Sequence, residues 1–225
     1  CLNWGCIPSK ALLRNAEVIH LFNRAEEFGV SFENLSYDYG VAHQRSRQVV
    51  GKLTKGVAAL LRKNGVEHIK GKARLRDANT IEVAPSGQSI TARNVIIATG
   101  ARTASIPGLE IDGDSIITSR EALELRELPA RMVIIGGGAT GVEFAYLFNA
   151  YGTQTTILEM LPRLVPAEDE EISRLLERSF SRQGIDVHTG ARVTNATVSD
   201  DGVKLELNDD GKNTILEADR VLVAA

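Results

Sequence analysis

Two stretches of this 225-residue chain hold reactive groups at spacings that packing alone does not require. The first, Cys1-Leu2-Asn3-Trp4-Gly5-Cys6-Ile7-Pro8-Ser9-Lys10, contains the only two cysteines of the sequence, in a C-x4-C arrangement. Two close thiols in an otherwise cysteine-free chain point to a local redox pair or to half of a metal site. The histidines, His20, His43, His68 and His188, are dispersed without ligand spacing, so zinc is disfavoured and no metal is expected. On an ideal helix, residues five apart point about 140° away from each other. A bridge between Cys1 and Cys6 therefore needs a distorted turn, which Gly5 permits and Pro8 helps to define. A cysteine near a helix start and a lysine has its thiolate favoured, which makes it a nucleophile; buried structural thiols need no such setting.

The second stretch is Gly136-Gly137-Gly138-Ala139-Thr140-Gly141, which satisfies G-x-G-x-x-G between a strand pattern and a helix pattern. The first Gly makes the tight turn, Gly138 lets backbone approach a pyrophosphate, and Gly141 lets helix and strand pack closely. A helix N-terminus adds free N–H groups and a positive dipole end. Glu159 ends the next strand, eighteen residues after Gly141, where such folds place the carboxylate that binds a ribose. A structural glycine turn with an unrelated surface Glu would match that spacing only by chance. The acid favours NAD over NADP, since it accepts a bond from a 2′-OH and repels a 2′-phosphate. At an effective dielectric near 20, unit charges about 4 Å apart interact by roughly 4 kcal/mol, and a third of that already gives about tenfold discrimination. Arg163 lies nearby and softens the preference.

The elements that must position these groups are legible as periodicities. Pro8 to Phe28 reads as a helix, with Leu12, Ala16, Ile19 and Phe22 three or four apart and Gly29 as its stop. Pro8 is tolerable only in the first turn. A second helix is expected over Tyr39 to Lys63, with Val49, Leu53, Val57 and Leu60 on one face. Short β segments follow at Val66–Ile69, Ala73–Leu75, Thr80–Val83 and Ser89–Ala92, and Asn94 to Ala98 reads as a strand buried on both faces. Ala101 to Pro129 shows little periodicity and serves as a crossover. A new unit starts at Arg131: strand Met132–Ile135, helix Thr140–Tyr151, strand Thr155–Leu158, helix Glu168–Gln183, strand Ile185–His188, then hairpins. Strand, helix, strand is the signature of a parallel α/β unit.

Composition sets outer bounds. Hydrophobic residues make up 43% and charged residues 24%, which is ordinary for a globular chain with a core. A net charge of −3 offers no broad attraction to nucleic acid or anionic membrane, and no apolar run reaches the length of a membrane span. Twenty glycines with 5% aromatics favour tight turns over an aromatic-rich binding surface. The chain begins at Cys1 without an initiator Met and stops within Val221-Leu222-Val223-Ala224-Ala225, so it is read as a fragment.

With these residues in view the sequence resembles the FAD-dependent pyridine nucleotide-disulfide oxidoreductases. The run C-L-N-x-G-C-I-P-S-K-A-L-L, from Cys1 to Leu13, is similar to their redox-disulfide helix and most similar to the dihydrolipoamide dehydrogenase branch. Ile96-Ile97-Ala98-Thr99-Gly100 resembles the second flavin-contacting turn, Gly136 to Glu143 the NAD motif, and Thr156 to Glu159 its acid. Glutathione reductases, with C-V-P-K-K and basic NADP-binding residues, fit less well.

The resemblance implies a Cys1–Cys6 disulfide, Cys1 as the interchange thiol, Cys6 as the thiolate facing the flavin, and Lys10 beside the flavin and paired with Glu143. It implies FAD contacts at Lys10, Ala73, Ala98, Thr99 and Gly100. NAD contacts follow at Gly136, Gly137, Gly138, Ala139, Thr140, Gly141, Glu159, Val193 and Ala224. Ala139-Thr140 stands where relatives often carry a bulkier pair, one member of which can cover the nicotinamide pocket. The fold implied is α/β: two Rossmann-like nucleotide-binding units of the FAD/NAD(P) type, the first incomplete, with a small β-meander. Residues 1–130 would form the incomplete FAD domain with the redox helix, and 131–225 a truncated NAD domain.

The activity implied is oxidation of dihydrolipoamide, free or on the lipoyl domain of a 2-oxoacid dehydrogenase complex, by a homodimer with a cytoplasmic location. The fragment alone is expected to be inactive. Alternatives are another disulfide or mercuric reductase of the superfamily, or a non-catalytic nucleotide-binding redox sensor.

Overall fold

The computed structural model describes residues 1–209 and 212–225. Its elements run α1 (Cys6–Asn23), a 3-10 turn (Ala25–Phe28), α2 (Tyr39–Lys63), β1 (Lys72–Leu75), β2 (Thr80–Ala84), β3 (Gln88–Thr91), β4 (Ile116–Thr118), α3 (Ser119–Ala122), β5 (Arg131–Ile135) and α4 (Ala139–Ala150). Then follow β6 (Gln154–Glu159), α5 (Glu170–Arg182), β7 (Asp186–Thr189), β8 (Ala191–Ser199), β9 (Gly202–Asp209), β10 (Lys212–Ala218) and β11 (Arg220–Val223). The chain forms two compact units, one of Cys1–Thr54 with Thr103–Ala225 and one of Lys55–Arg102.

The larger unit is built on a five-stranded parallel sheet in the order β4-β11-β5-β6-β7. Side chains alternate across a strand, and β5 divides its residues accordingly. Met132 and Ile134 face a cluster with Leu12 and Ala16 of α1 and Phe144 and Phe148 of α4. Val133 and Ile135 face Val193, Val203, Leu205 and Ala218 of the antiparallel β10-β9-β8 meander. The parallel sheet is thus covered on both faces, which explains its near-continuous Val/Ile/Leu runs.

The smaller unit carries the antiparallel β1-β2-β3 sheet, with Ala73 opposite Val83. Two expected strands are absent from it. Val66–Ile69 is irregular chain after Gly65, which adopts φ +66. Asn94–Ala98 is also irregular, with Ile96 91% and Ile97 68% exposed. A strand buried on both faces requires hydrogen-bonding neighbours, and no described strand pairs with this run.

Other expectations shift for similar reasons. The first helix ends at Asn23, and the 3-10 turn takes over up to Gly29 at φ +70. Helix α2 has the anticipated limits but buries Tyr39, Ala42, Ser46 and Val50, whereas Leu53, Val57 and Leu60 are exposed. Periodicity finds an apolar stripe; it does not say whether anything lies over it. Arg45 Nη1 of α2, donating to Ala11 O and Asn15 Oδ1 of α1 at 2.9 Å each, sets which stripe is covered. The crossover hides β4 and α3, because three residues are too few to show alternation. Glu121 gives α3 a capping box, accepting from the Thr118 N–H at 3.0 Å and from the Thr118 hydroxyl.

Asp219 ties the start of β11 to that of β5. Its Oδ2 accepts the Arg131 N–H at 2.8 Å, and its Oδ1 accepts Arg131 Nε and Nη2 at 3.0 and 2.7 Å. Burial opposes ionisation of this carboxyl, but the Arg131 bonds outweigh it and hold Asp219 below the usual carboxylate range. Asp219→Ala should cost about 1–2 kcal/mol at neutral pH, measured by urea unfolding. A carboxylate depressed on folding stabilises above its unfolded value and loses that contribution as pH falls. The gap between wild type and variant should therefore narrow below about pH 4. A pH-independent gap would assign the loss to something other than this ion pair.

Candidate functional site

The redox loop precedes α1 rather than lying on it. Residues 2–4 form a turn, Gly5 is the helix N-cap, and Cys6 is the first helical residue, disulfide-bonded to Cys1 at a Cα–Cα distance of 4.5 Å. The angular obstacle of an ideal helix therefore does not arise. The Ile7 N–H donates to Cys1 O at 3.0 Å and closes the loop. A Cβ at Gly5 would stand 3.1 Å from the Cys1 Cα, so any other residue would push the loop backbone aside by a few tenths of an ångström. Cys6 at the helix N-terminus has the dipole's positive end beside it, a setting that favours a thiolate.

Lys10, one turn further along α1, donates from Nζ to Glu143 Oε1 of α4 at 2.5 Å. Glu143 is the less exposed partner, at 28% against 59% for Lys10. The pair lies where α1 packs on α4, so it joins the helix that begins at the disulfide to the one that begins at the glycine turn.

That turn follows β5. Gly136 sits at φ +111, and a Cβ there would lie 2.9 Å from the carbonyl of Ala224. At Gly141 a Cβ would stand 1.9 Å from Gly136 O, so only glycine lets α4 start this close to the strand end. Gly138 caps α4 without a side-chain bond, and a Cβ there would meet nothing within 4 Å. The turn opens on a cleft of about 520 Å³ lined by Gly136, Gly138, Glu159, Val193 and Ala224. Gly137, Ala139, Thr140 and Gly141 are not among the residues that line it: the two glycines are buried, and Ala139 and Thr140 are exposed.

Glu159 is 8% exposed, and its two oxygens are oriented by backbone. Oε2 accepts the Gly137 N–H at 2.6 Å and Oε1 the Leu161 N–H at 2.7 Å. The motif's acid is thereby fixed against the motif's own turn. Arg163, which the sequence left as a softening charge, donates from Nη2 to Pro166 O at 3.0 Å instead. Met160, Leu161, Pro166, Arg192 and the Ser105–Pro107 segment also line it. Sequence reasoning missed them because they come from loops and a strand edge with no shared spacing.

Ala73 on β1 and Ala98, Thr99 and Gly100 are exposed and belong to the smaller unit, with Gly100 at φ +85. Cys1, Cys6, Lys10, Glu143, the glycine turn, Glu159, Val193 and Ala224 all belong to the larger one. Among the described residues no group of His, Cys, Asp and Glu could hold a metal ion, and no helix is long and apolar enough to cross a membrane.

The two loop glycines separate packing from access. Gly141→Ala should cost about 2 kcal/mol or more, since backbone must move to admit the methyl group. Gly138→Ala should cost about 1 kcal/mol at most. Thermal melts of the two variants check this; equal losses would contradict the open space at Gly138.

The profile of the family described as pyridine nucleotide-disulphide oxidoreductase matches residues 1–225. The chain is 49% identical to the dihydrolipoyl dehydrogenase of Chlorobaculum tepidum and 44% identical to that of Mycobacterium leprae, in each case over all of this chain and 49% of the relative. Among solved structures it is similar to LpdA from Mycobacterium tuberculosis, with a TM-score of 0.86 and 25% identity over 99% of this chain and 49% of that one. It is also similar to the HOCl-induced flavoprotein disulfide reductase RclA from Escherichia coli, with a TM-score of 0.81 and 29% identity over the whole chain and 47% of that one. The chain spans about half the length of the curated relatives it matches. A disulfide at a helix start, an ion pair linking that helix to a glycine-turn helix, and a profile match over every residue lead to one assignment: the chain belongs to the pyridine nucleotide-disulphide oxidoreductase family.

Proposed function

We propose that the full-length protein is an FAD- and NAD-linked dihydrolipoyl dehydrogenase. Residues 1–130 would contribute to its FAD domain and 131–225 to its NAD domain. The observation that carries this reading is the chain of contacts from the Cys1–Cys6 disulfide through α1 and the Lys10–Glu143 pair to α4, whose first turn opens on the Glu159 cleft. Thiol chemistry and nucleotide binding are thereby built on two helices packed together.

The residues present suit a dinucleotide. Gly138 leaves room for a pyrophosphate at a helix N-terminus, and the Glu159 carboxylate offers remaining lone pairs to ribose hydroxyls. Arg163 is turned to a backbone carbonyl, which supports NAD over NADP. Val193 and Ala224 would line the nicotinamide side and Ala139-Thr140 its entrance. Ala73 and Ala98 to Gly100 would contact FAD.

In the reaction, one thiolate of the dithiol attacks the Cys1 sulfur and the Cys1–Cys6 bond breaks, leaving Cys6 as thiolate. The second substrate thiolate then attacks the substrate sulfur of the mixed disulfide, and Cys1 departs with its electron pair. The substrate is oxidised to a disulfide and the cysteine pair is reduced by two electrons. The helix N-terminus stabilises the Cys6 thiolate, while Lys10, fixed by Glu143, adds a positive charge one turn along the same helix. When bound, FAD would take those two electrons and NAD⁺ would carry them away as hydride.

The partners that follow are free dihydrolipoamide or the lipoyl domain of a 2-oxoacid dehydrogenase complex, with a homodimer as the working form and the cytoplasm as its place. The likeness to RclA favours a second reading, a sister disulfide reductase with the same thiol and flavin chemistry but another substrate.

The deciding assay is NAD⁺ reduction by dihydrolipoamide in the full-length protein, with glutathione disulfide and Hg²⁺ tested alongside. Turnover confined to dihydrolipoamide is expected, and Cys6→Ser should abolish it while FAD stays bound. Activity on another acceptor alone would move the protein to a sister branch. Glu159→Arg should raise the NADP⁺ to NAD⁺ ratio of kcat/KM by about tenfold or more. An unmoved ratio would remove Glu159 from the ribose site.

A further inference from the structure

The loop between the two cysteines carries a residue for which neither packing nor the reaction above accounts. Trp4 is 42% exposed, yet its ring meets two guanidinium groups, Arg47 Cζ of α2 at 5.0 Å and Arg120 Cζ of α3 at 4.9 Å from the ring centroid. Both distances lie within the range of a cation–π contact. The same Arg47 donates from Nη1 to Asn3 O at 3.2 Å, and Thr54 Oγ1 reaches Asn3 Oδ1 at 3.4 Å. The middle of the loop is therefore held from outside by elements distant in sequence.

Arg47 occupies this position at a cost. Its Nε and Nη2 are buried and have no hydrogen-bond partner among the described residues. Burial pushes its guanidinium below the usual arginine range, with the Glu124 carboxylate opposing that shift. Buried unpaired donors oppose folding, so stability alone does not explain the placement.

We propose that Trp4 is a positioning residue for the Cys1–Cys6 couple: held by cation–π contacts to Arg47 and Arg120, it keeps the loop closed after the disulfide opens, so that Cys1 stays within reach of Cys6. Opening a disulfide normally releases the chain between its sulfurs, and the entropy gained favours reduction. A loop anchored at its centre gains little. This anchoring thus raises the effective concentration of one thiol at the other and makes the disulfide harder to reduce. This rests on the reading of Cys1–Cys6 as a redox pair.

The test is the exchange equilibrium of the full-length protein with dithiothreitol, which is oxidised to its cyclic disulfide as Cys1 and Cys6 gain two electrons and two protons. Alkylation and mass spectrometry of the Cys1–Cys6 peptide report the reduced fraction without any turnover. Trp4→Ala should shift the equilibrium toward the dithiol by roughly tenfold, and Trp4→Phe, which keeps a ring for the cations, should stay within about twofold of wild type. Arg120 is exposed, so Arg120→Gln serves where Trp4→Ala fails to fold, with an expected shift of about two- to fourfold. A merely structural Trp4 would lower the melting temperature and leave the equilibrium in place; that result, or an unmoved Arg120→Gln equilibrium, overturns the proposal. A wild-type disulfide that dithiothreitol leaves intact overturns both this proposal and the redox reading beneath it.

Discussion

The contact between the end of β5 and the start of α4 is the constraint on which the larger unit depends. Any side chain at Gly141 would strike Gly136 O, and any at Gly136 would strike the Ala224 carbonyl. Because both positions are bare, the first turn of α4 sits directly over the strand end, beside β11. The neighbouring strands β11 and β6 leave β5 on opposite sides in the order β4-β11-β5-β6-β7. The cleft falls at that divergence, outside the carboxyl ends of parallel strands, where α/β sheets hold ligands. Glu159 at the end of β6 is then close enough to accept from the Gly137 N–H, so acid and turn hold each other.

The same placement of α4 governs the other half of the candidate site. Helix α1 packs along α4 through a shared core of Leu12, Ala16, Phe144 and Phe148. That packing brings Lys10 to Glu143 although 133 positions separate them. The disulfide stands at the N-terminal end of α1 and inherits its position from this pairing of helices. An exposed ion pair adds little stability by itself. Its importance is geometric, since it fixes the one cationic side chain in the turn after Cys6.

Around this frame the chain exposes apolar residues that a self-contained core would cover. Ile96 and Ile97 are open in the smaller unit, and one stripe of α2 has no cover among the described residues. The antiparallel β1-β2-β3 sheet forms without help because its pairing is local. Parallel pairing requires strands brought from a distance, and the 94–98 run has none beside it among the described residues. Local contacts therefore formed as expected here, and non-local ones did not.

What the sequence determined by itself was chemical identity and short-range form. The C-x4-C loop with Lys10, the glycine turn, Glu159, the limits of α2, and those of β5, β6 and the helix between them to within one residue were all legible. Each rests on residue type and on periodicities of a few positions. Tertiary structure alone decided which stripe of α2 is buried, that Arg163 turns to the Pro166 carbonyl, and which loop residues wall the cleft. It also decided that Arg47 and Arg120 converge on Trp4. The physical reason is common to all four: each depends on what lies opposite a residue in space, and a linear pattern records a face without recording what meets it.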